Sequence, residues 1–501
     1  MKKANPVQKL GRWIFDNKVM IFFALVCIGA IVVSKTPIPT VVDGVFTRVA
    51  RNTFTVLALL IPVLAGMGLN FGIVIGAIAT QIAMFFVVYW GFGGLEGTLL
   101  VLAIATPLAA FFGFLGGKLF NQMKGAEMIA GLILGYFADG LYQLWMLVII
   151  GGVIPMKNPR LIIDGGIGVK NTIDLTGNLK YAIDDVSVMN LLQLFFFIMV
   201  AITLVKLIMA AAKRYKLRVS DWVWLGGAAL FYGLTFIPSV KDFIGATRLP
   251  LLEGVTFTLA GYAIWQLYQI VSKKLIQKDQ KFKLGKALLG LAMAGVLYGL
   301  TYLPEVERTL MLVRVPVLPY VLIAGLCLFN QKILDTRLGQ NMRTVGQSQG
   351  VATASGINVD QIRVIAMIIS TVLAAWGQMI YLQNIGTFST YGAHTQIGQF
   401  AIAALLVGGA SVQKATNRQA IIGVILFHTL FLVAPQAGKE LFNNPQIGEY
   451  FRVFVSYGVI ALSLAMHAWK RVEKKRAVGQ AAPPGDPRRE DARKDAEPQA
   501  A

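Results

Sequence analysis

The chain has 501 residues, 56% of them hydrophobic and only 14% charged, with a mean hydropathy of +0.64. That is too little charge to cover the surface of a soluble protein of this size. The net charge of +21 invites a nucleic-acid partner, yet Lys and Arg gather in alternate short loops, as cytoplasmic loops of membrane proteins do, so no nucleic acid is expected. Uncharged runs such as 19–34 and 191–205 suit helices that cross a bilayer in about 20 residues. Because the runs are continuous and not alternating, a β-barrel is excluded. The expected fold is all-α, a polytopic transmembrane helical bundle with broken or re-entrant helices.

In chain order the basic start, "MKKANPVQKLGRWIFDNKVM", leads into an apolar run that ends in "SKTPIPT". No small-x-small cleavage site follows, which predicts an uncleaved first span. Apolar segments then occupy 19–34, 54–69, 71–90, 97–117, 126–152, 187–212, 221–238, 251–272, 285–303, 316–330, 361–382, 396–411, 418–434 and 451–469. The weakest, and so the best candidates for broken elements, are 54–69, with Pro62 and nearby glycines, and 396–411. With the N-terminus inside, the loops on its side (1–18, 118–125, 213–220, 273–286, 331–360, 412–418, 470–476) hold 27 Lys and Arg, and the opposite loops (35–53, 153–186, 239–250, 304–315, 435–450) hold 12. The bias predicts cytoplasmic N- and C-termini.

The organisation read from this is a cytoplasmic N-terminus (1–18), a first helix group (19–212) with an outer loop (153–186), an insert (213–330), a cytoplasmic polar segment (331–360), a C-terminal helix group (361–470) and a disordered tail (471–501). The outer loop balances four Lys and Arg against four Asp. It reads as a solvated loop, with a docking surface for an external partner as the alternative. Inside the insert lies a repeat. "YGLTFIPSVKDFIGATRLPLL" starts at Tyr232 and "YGLTYLPEVERTLMLVRVPVL" at Tyr298, an offset of 66. This predicts a duplicated helical hairpin in parallel topology, a lengthened scaffold.

Enzyme chemistry is missing. His394, His428 and His467 are scattered without metal-ligand spacing, and Cys27 and Cys327 both lie in apolar segments. "GFLGGKLF" (113–120) fails as a phosphate loop, having Phe112 and Leu119 where Gly and Ser or Thr belong. No bound cofactor or metal is expected. Asp139, about twelve residues into its segment, falls near mid-membrane at ~1.5 Å per residue, where it can serve ion coupling, substrate hydrogen bonding or structure. Asn70 and Phe71 at the broken segment, with Tyr136, Asp139 and Gln143 spaced 3 and 4 apart on one helix face, are the candidate substrate pathway, with ordinary interhelical packing as the alternative for each. An aromatic ring beside amide and carboxylate groups suits a sugar or a nucleoside.

One stretch remains, "MRTVGQSQGVATASGINVDQIRV" (342–364), polar and small, between two apolar segments. Its residues suit either a solvated interhelical loop or a short helix able to sit in a cleft of another protein, followed by a helix capped at Asn358 and Asp360. The stretch resembles the cytoplasmic coupling segment of ATP-binding cassette (ABC) permeases in the branched-chain amino acid, ribose and nucleoside import family, through Gly339, Met342, Arg343, Thr344, Val345, Gly346, Ala352, Ser355, Gly356, Ile357 and Asn358. "SQGVATA" stands where that family usually has Asn-Pro-x-Ala-Ala. "IGQFAIAALLVGGAS" (397–411) is similar to the family's small-residue membrane motif, with Gly398, Gly408, Gly409 and Ser411 set for helix packing. "GAEMIAGLILGYFADG" (125–140) and "GLNFGIVIGA" (68–77) resemble its sugar and nucleoside branch, although Ile73 and Val74 replace Glu-Gly. The resemblance covers roughly 50–155 and 330–470, with the repeat outside it.

The resemblance implies a permease subunit of an ABC importer in a bacterial inner membrane. ATP would bind to separate cytoplasmic ATPase subunits, coupled through Arg343, Gly346, Gln347, Ala352, Ser355, Gly356, Ile357 and Asp360. A second permease and an external substrate-binding protein or lipoprotein would complete the assembly. The rival expectations are a proton- or ion-coupled carrier working through Asp139, and a membrane scaffold that moves no solute.

Overall fold

The computed structural model describes residues 17–461 apart from 157, 164–165, 213–218, 239–240, 242–243, 273–283 and 456. The basic start 1–16, most of two predicted inner loops and the tail lie outside the described residues. The described residues are mostly helical, with two short two-stranded ribbons. Among the described residues seven helices are long and apolar enough to cross a membrane, nine if each of two bent pairs counts as one, and two shorter apolar helices accompany them. These belong to a polytopic membrane protein.

Helix α1 (Lys18–Ser34) leads into α2 (Ile38–Ala58), which continues after a break as α3 (Leu60–Leu64). The predicted outer loop 35–53 is therefore mostly helix. Arg51, one of the basic residues counted for that loop, finds tertiary partners, stacking over the Tyr381 ring at 5.6 Å and donating to Asn384 Oδ1 at 3.4 Å. After α3 the backbone turns through Gly66 and Gly68, both at positive φ, where a side chain is strained. A short 3₁₀ turn (Phe71–Ile73) opens α4 (Val74–Tyr89). Then come α5 (Gly94–Gln122) and α6 (Glu127–Leu144), which runs on in wider π turns until Ile150 and Gly151 leave helical geometry.

The centre of the bundle is α4 and α15 (Val359–Ile385), both mostly buried. Glycines let α4, α5 and α15 approach closely. A methyl added at Gly113 would stand 2.8 Å from Ile368 Cα, and at Gly117 it would stand 2.8 Å from Val364 Cα. Between membrane helices such backbone proximity, and not hydrophobicity, drives packing.

The loop after α6 is solvated only in part. Leu161, Val169, Ile173, Leu175 and Leu179 are fully buried, and β1 (Thr172–Asp174) pairs antiparallel with β4 (Thr387–Ser389) beyond α15. The charge balance of this loop hid its alternating apolar residues. Helix α7 (Val188–Ala211) packs on α8 (Val219–Leu234), and α9 (Leu251–Gln269) packs on α10 (Leu284–Leu300). The predicted outer loop 304–315 is another misreading, since it holds α11 (Pro304–Leu312) and β3 (Arg314–Pro316). Strand β3 pairs with β2 (Arg248–Pro250) in a register that sets Leu249 against Val315. These two residues are equivalent in the 66-residue repeat, so the copies meet about a local two-fold axis.

Helix α12 (Val317–Ile333) precedes two short helices, α13 (Arg337–Gln347) and α14 (Gln349–Ala354). After α15 come α16 (Ala393–Val407) and α17 (Asn417–Phe442). The latter runs straight through Pro435 into what the sequence suggested was loop 435–450.

Candidate functional site

The polar stretch folds as two capped helices. Thr336 caps α13 by accepting from Gly339 N, Ser348 caps α14 by accepting from Val351 N, and Asn358 caps α15 by accepting from Gln361 N. Each cap satisfies an amide that a helix start leaves free. Met342, Val345 and Ala352 turn inward and are buried, Ile357 is half-buried, and Arg343, Gln347, Ser355, Gly356 and Asp360 are exposed. Val351 stands out with 59% of its surface exposed. Gly356 takes φ +77° in open space.

Gly346 sets this segment on the core. A methyl there would collide with the Leu64 carbonyl, and one on Gly66 would sit 2.7 Å from Gly346 Cα. The end of α13 is thus in backbone contact with the break between α3 and α4. On the far side, Asp360 pairs with Lys124 at 2.5 Å. Three residues on, fully buried Arg363 meets Glu127 Oε1 at 2.8 Å and donates to the Phe120 carbonyl at 3.0 Å. The polar segment is thereby clamped to α3, α5, α6 and α15.

The predicted pathway residues fall into two groups, one in the break and one along α6. Asn70 and Phe71 are buried in the break. Methyls on Gly131 and Gly135 would lie 3.3 Å from Phe71 N and 3.6 Å from Phe71 O, which places the pair along the first turns of α6, the second contact one turn, ~6 Å, before Asp139. Both polar atoms of Asn70 lack a hydrogen-bond partner. In the second group Tyr136 is 66% exposed. The Asp139 side chain is 20% exposed, and both its oxygens accept from Gln143 Nε2, at 3.0 and 3.1 Å. His394 joins them, with Nε2 2.6 Å from Asp139 Oδ1 and Nδ1 2.8 Å from Gln81 Oε1. Tyr142 packs edge-on against its ring, centroids 4.9 Å apart. A carboxylate on an accessible face within a membrane helix lines water or another protein and does not face lipid.

Of the packing residues, Gly398 lies against Val74, Gly408 against the Gln419 carbonyl and Gly423, and Gly409 takes φ +84°. The Ser411 amide donates to the Lys414 carbonyl. Among the described residues no group of three or more His, Cys, Asp or Glu could hold a metal ion.

The profile of the family described as "Branched-chain amino acid transport system / permease component" matches residues 225–464. Over that region, a little under half of its length, the chain is similar to this permease family. Similar to it are the xylose transport system permease protein XylH of Haemophilus influenzae, 27% identical over 233 residues, and the galactose/methyl galactoside import permease protein MglC of Escherichia coli, 28% identical over 140 residues. The matches cover 46% and 28% of this chain, and 58% and 40% of the relatives' lengths, so the chain spans about half of each. No solved structure matches it.

The matched range takes in α13, α14, α15 and α16, and it begins inside the insert 213–330, ahead of the repeat that the motifs left out. Sequence reasoning missed His394, Gln81 and Tyr142 beside Asp139, and Arg363 opposite Glu127. The signal for Arg363 was present, because an arginine one turn into an apolar helix demands a counter-charge. For His394 the only hint was a polar residue at the mouth of an apolar helix.

Proposed function

We propose that the chain is the membrane-spanning subunit of an ABC importer and forms the path for a small polar solute, a sugar or a nucleoside. The names of the two relatives, transport permeases for xylose and galactose, support the sugar side of this reading. The observation that carries it is the seating of the α13–α14 segment by Gly346 on the α3–α4 break. An ATPase pressing on the exposed Val351, Ser355 and Gly356 pushes this contact directly into the bundle. Packed helices respond to such a push by shifting as rigid bodies between two arrangements.

In this reading ATP belongs to two cytoplasmic ATPase subunits. A second permease, the same or homologous, completes the path, and an external binding protein or lipoprotein delivers the solute. The chain sits in a bacterial cytoplasmic membrane, with both termini and the α13–α14 segment inside. The Asp139–His394 pair is the observation that favours a proton-coupled carrier instead.

Affinity purification of the tagged chain from its own membranes, beside a Gly356→Trp variant, tests the proposal. The expected result is an ATPase that co-purifies with the native chain and is lost with the variant, because Trp at a positive-φ position fills the exposed surface without touching the core. Absence of any ATPase in several detergents would contradict it.

A further inference from the structure

We propose that Arg48, Arg51 and Arg452 form a binding site for the phosphate group of an anionic phospholipid, at the end of the bundle that carries the outer loop. The inference does not depend on which solute the chain moves. Arg48 and Arg51 are three residues apart and share a face of α2. Arg452 comes from residues 445–455, which are helical. Arg48 stands close enough to Arg51, Arg452 and Glu449 for their charges to act on it. Two of the guanidinium groups are held by neutral partners. Arg51 lies over the Tyr381 ring and donates to Asn384 Oδ1. Arg452 lies over the Phe431 ring, 4.8 Å from its centre, and donates to the Phe431 carbonyl at 3.1 Å. Among the described residues neither a hydrogen bond nor an ion pair reaches the Arg48 guanidinium.

The second support is the charge balance. The three guanidinium groups meet one ion-paired carboxylate, Glu449, which is bound to Arg452. Asp184 stands near Arg51 but faces Arg248 as well, and its oxygens already accept from Gln383 and Asn384. Half-buried like charges in such numbers call for a counter-ion. The cluster is open to one. Arg48 and Arg51 are half-buried, and the Arg452 side chain is 23% exposed. Forked guanidinium donors match the oxygens of a phosphate, which accept two parallel hydrogen bonds. The surroundings select a lipid as the carrier of that phosphate. The helical turns that bear Arg452 leave Tyr450, Phe451 and Phe454 exposed, an apolar wall for acyl chains beside the arginines. Aromatic side chains gather in this way at the headgroup level of a bilayer. Asn384 in the last turn of α15 sets Arg51 at that level. A soluble anion would meet the same charges and gain nothing from the wall.

The test is thermal unfolding of the full-length chain in an uncharged maltoside detergent, titrated with dihexanoyl phosphatidylglycerol, dihexanoyl phosphatidylcholine or inorganic phosphate. A saturable upward shift with the anionic lipid is expected, half-saturating at a concentration about tenfold below that of the other two. Arg48→Gln weakens this half-saturation by about tenfold. Lys35→Gln, which removes the same charge from an exposed side chain, leaves it unchanged. Arg48→Lys keeps the charge without the fork and recovers part of the loss. If Arg48→Gln does not fold, the Arg452→Gln titration decides. No shift with the anionic lipid, an equal response to the two lipids, or an equal effect of Arg48→Gln and Lys35→Gln would overturn the site. Inorganic phosphate acting as strongly as the anionic lipid would overturn the lipid assignment and give the three arginines to a soluble anion.

Discussion

Gly346 and Gly66 touch backbone to backbone, and a β-carbon on either has nowhere to go. Gly346→Val is expected to lower ATP-driven uptake at least tenfold while the chain still reaches the membrane. Gly350→Ala, where the nearest atom is 4.0 Å away, leaves uptake unchanged, and equal uptake by the two would remove the coupling role from this contact. Arg363 makes a second residue-scale case, because its guanidinium is fully buried with Glu127 as its ion-pair partner. Glu127→Gln strands a cation and costs about 3–5 kcal/mol, readable as a lower SDS-unfolding midpoint, whereas Lys124→Ala, on an exposed pair, costs about 1 kcal/mol or less. Much of this was legible in the residues. The polar stretch and Asp139 stood out because both break an apolar pattern. The pairing of Asp139 with His394 was not, because 255 residues separate them and only folding decides which polar groups meet.

At the scale of elements, tertiary contacts overrode local character. Residues 35–53 carry three basic side chains and read as loop, yet α2 runs through them because Arg51 is held by Tyr381 and Asn384. The outer loop read as solvated because its charges balance, while every second or third residue was apolar and bound for the core. Asp184 in that loop is buried against the end of α15, accepting from Gln383 Nε2 at 2.7 Å and from Asn384 Nδ2 at 2.5 Å. Burial pushes its carboxyl above the ordinary range, and these two bonds only partly offset that. A raised carboxyl means the folded chain binds the proton more tightly than the unfolded one. Its contribution to stability is therefore full below about pH 4 and is lost as pH rises through the folded value. Subtracting the melting profile of Asp184→Asn from that of the native chain should leave a difference that falls across this window. A flat difference would mean that the carboxyl is not strained by its burial.

The whole molecule arranges these parts along one axis. At one end the α13–α14 segment is seated on the α3–α4 break, and Arg363 and Glu127 tie it to α5 and α6. Farther along α6 the Asp139–His394 group lies on an accessible face, and the far end is closed by the outer loop paired with β4. A push at the first end thus reaches the helix that carries Asp139 through buried contacts throughout. The repeat stands apart from this line, its helices exposing apolar side chains such as Trp222, Trp265 and Leu289, as a surface in contact with lipid does. Uptake into proteoliposomes, containing the chain with its co-purified partners, is the most direct measurement of what drives transport. The account predicts accumulation that requires ATP and persists when a protonophore collapses the proton gradient. Accumulation that proceeds without ATP and vanishes with the gradient would contradict it and make the Asp139–His394 pair the site of a proton-driven carrier.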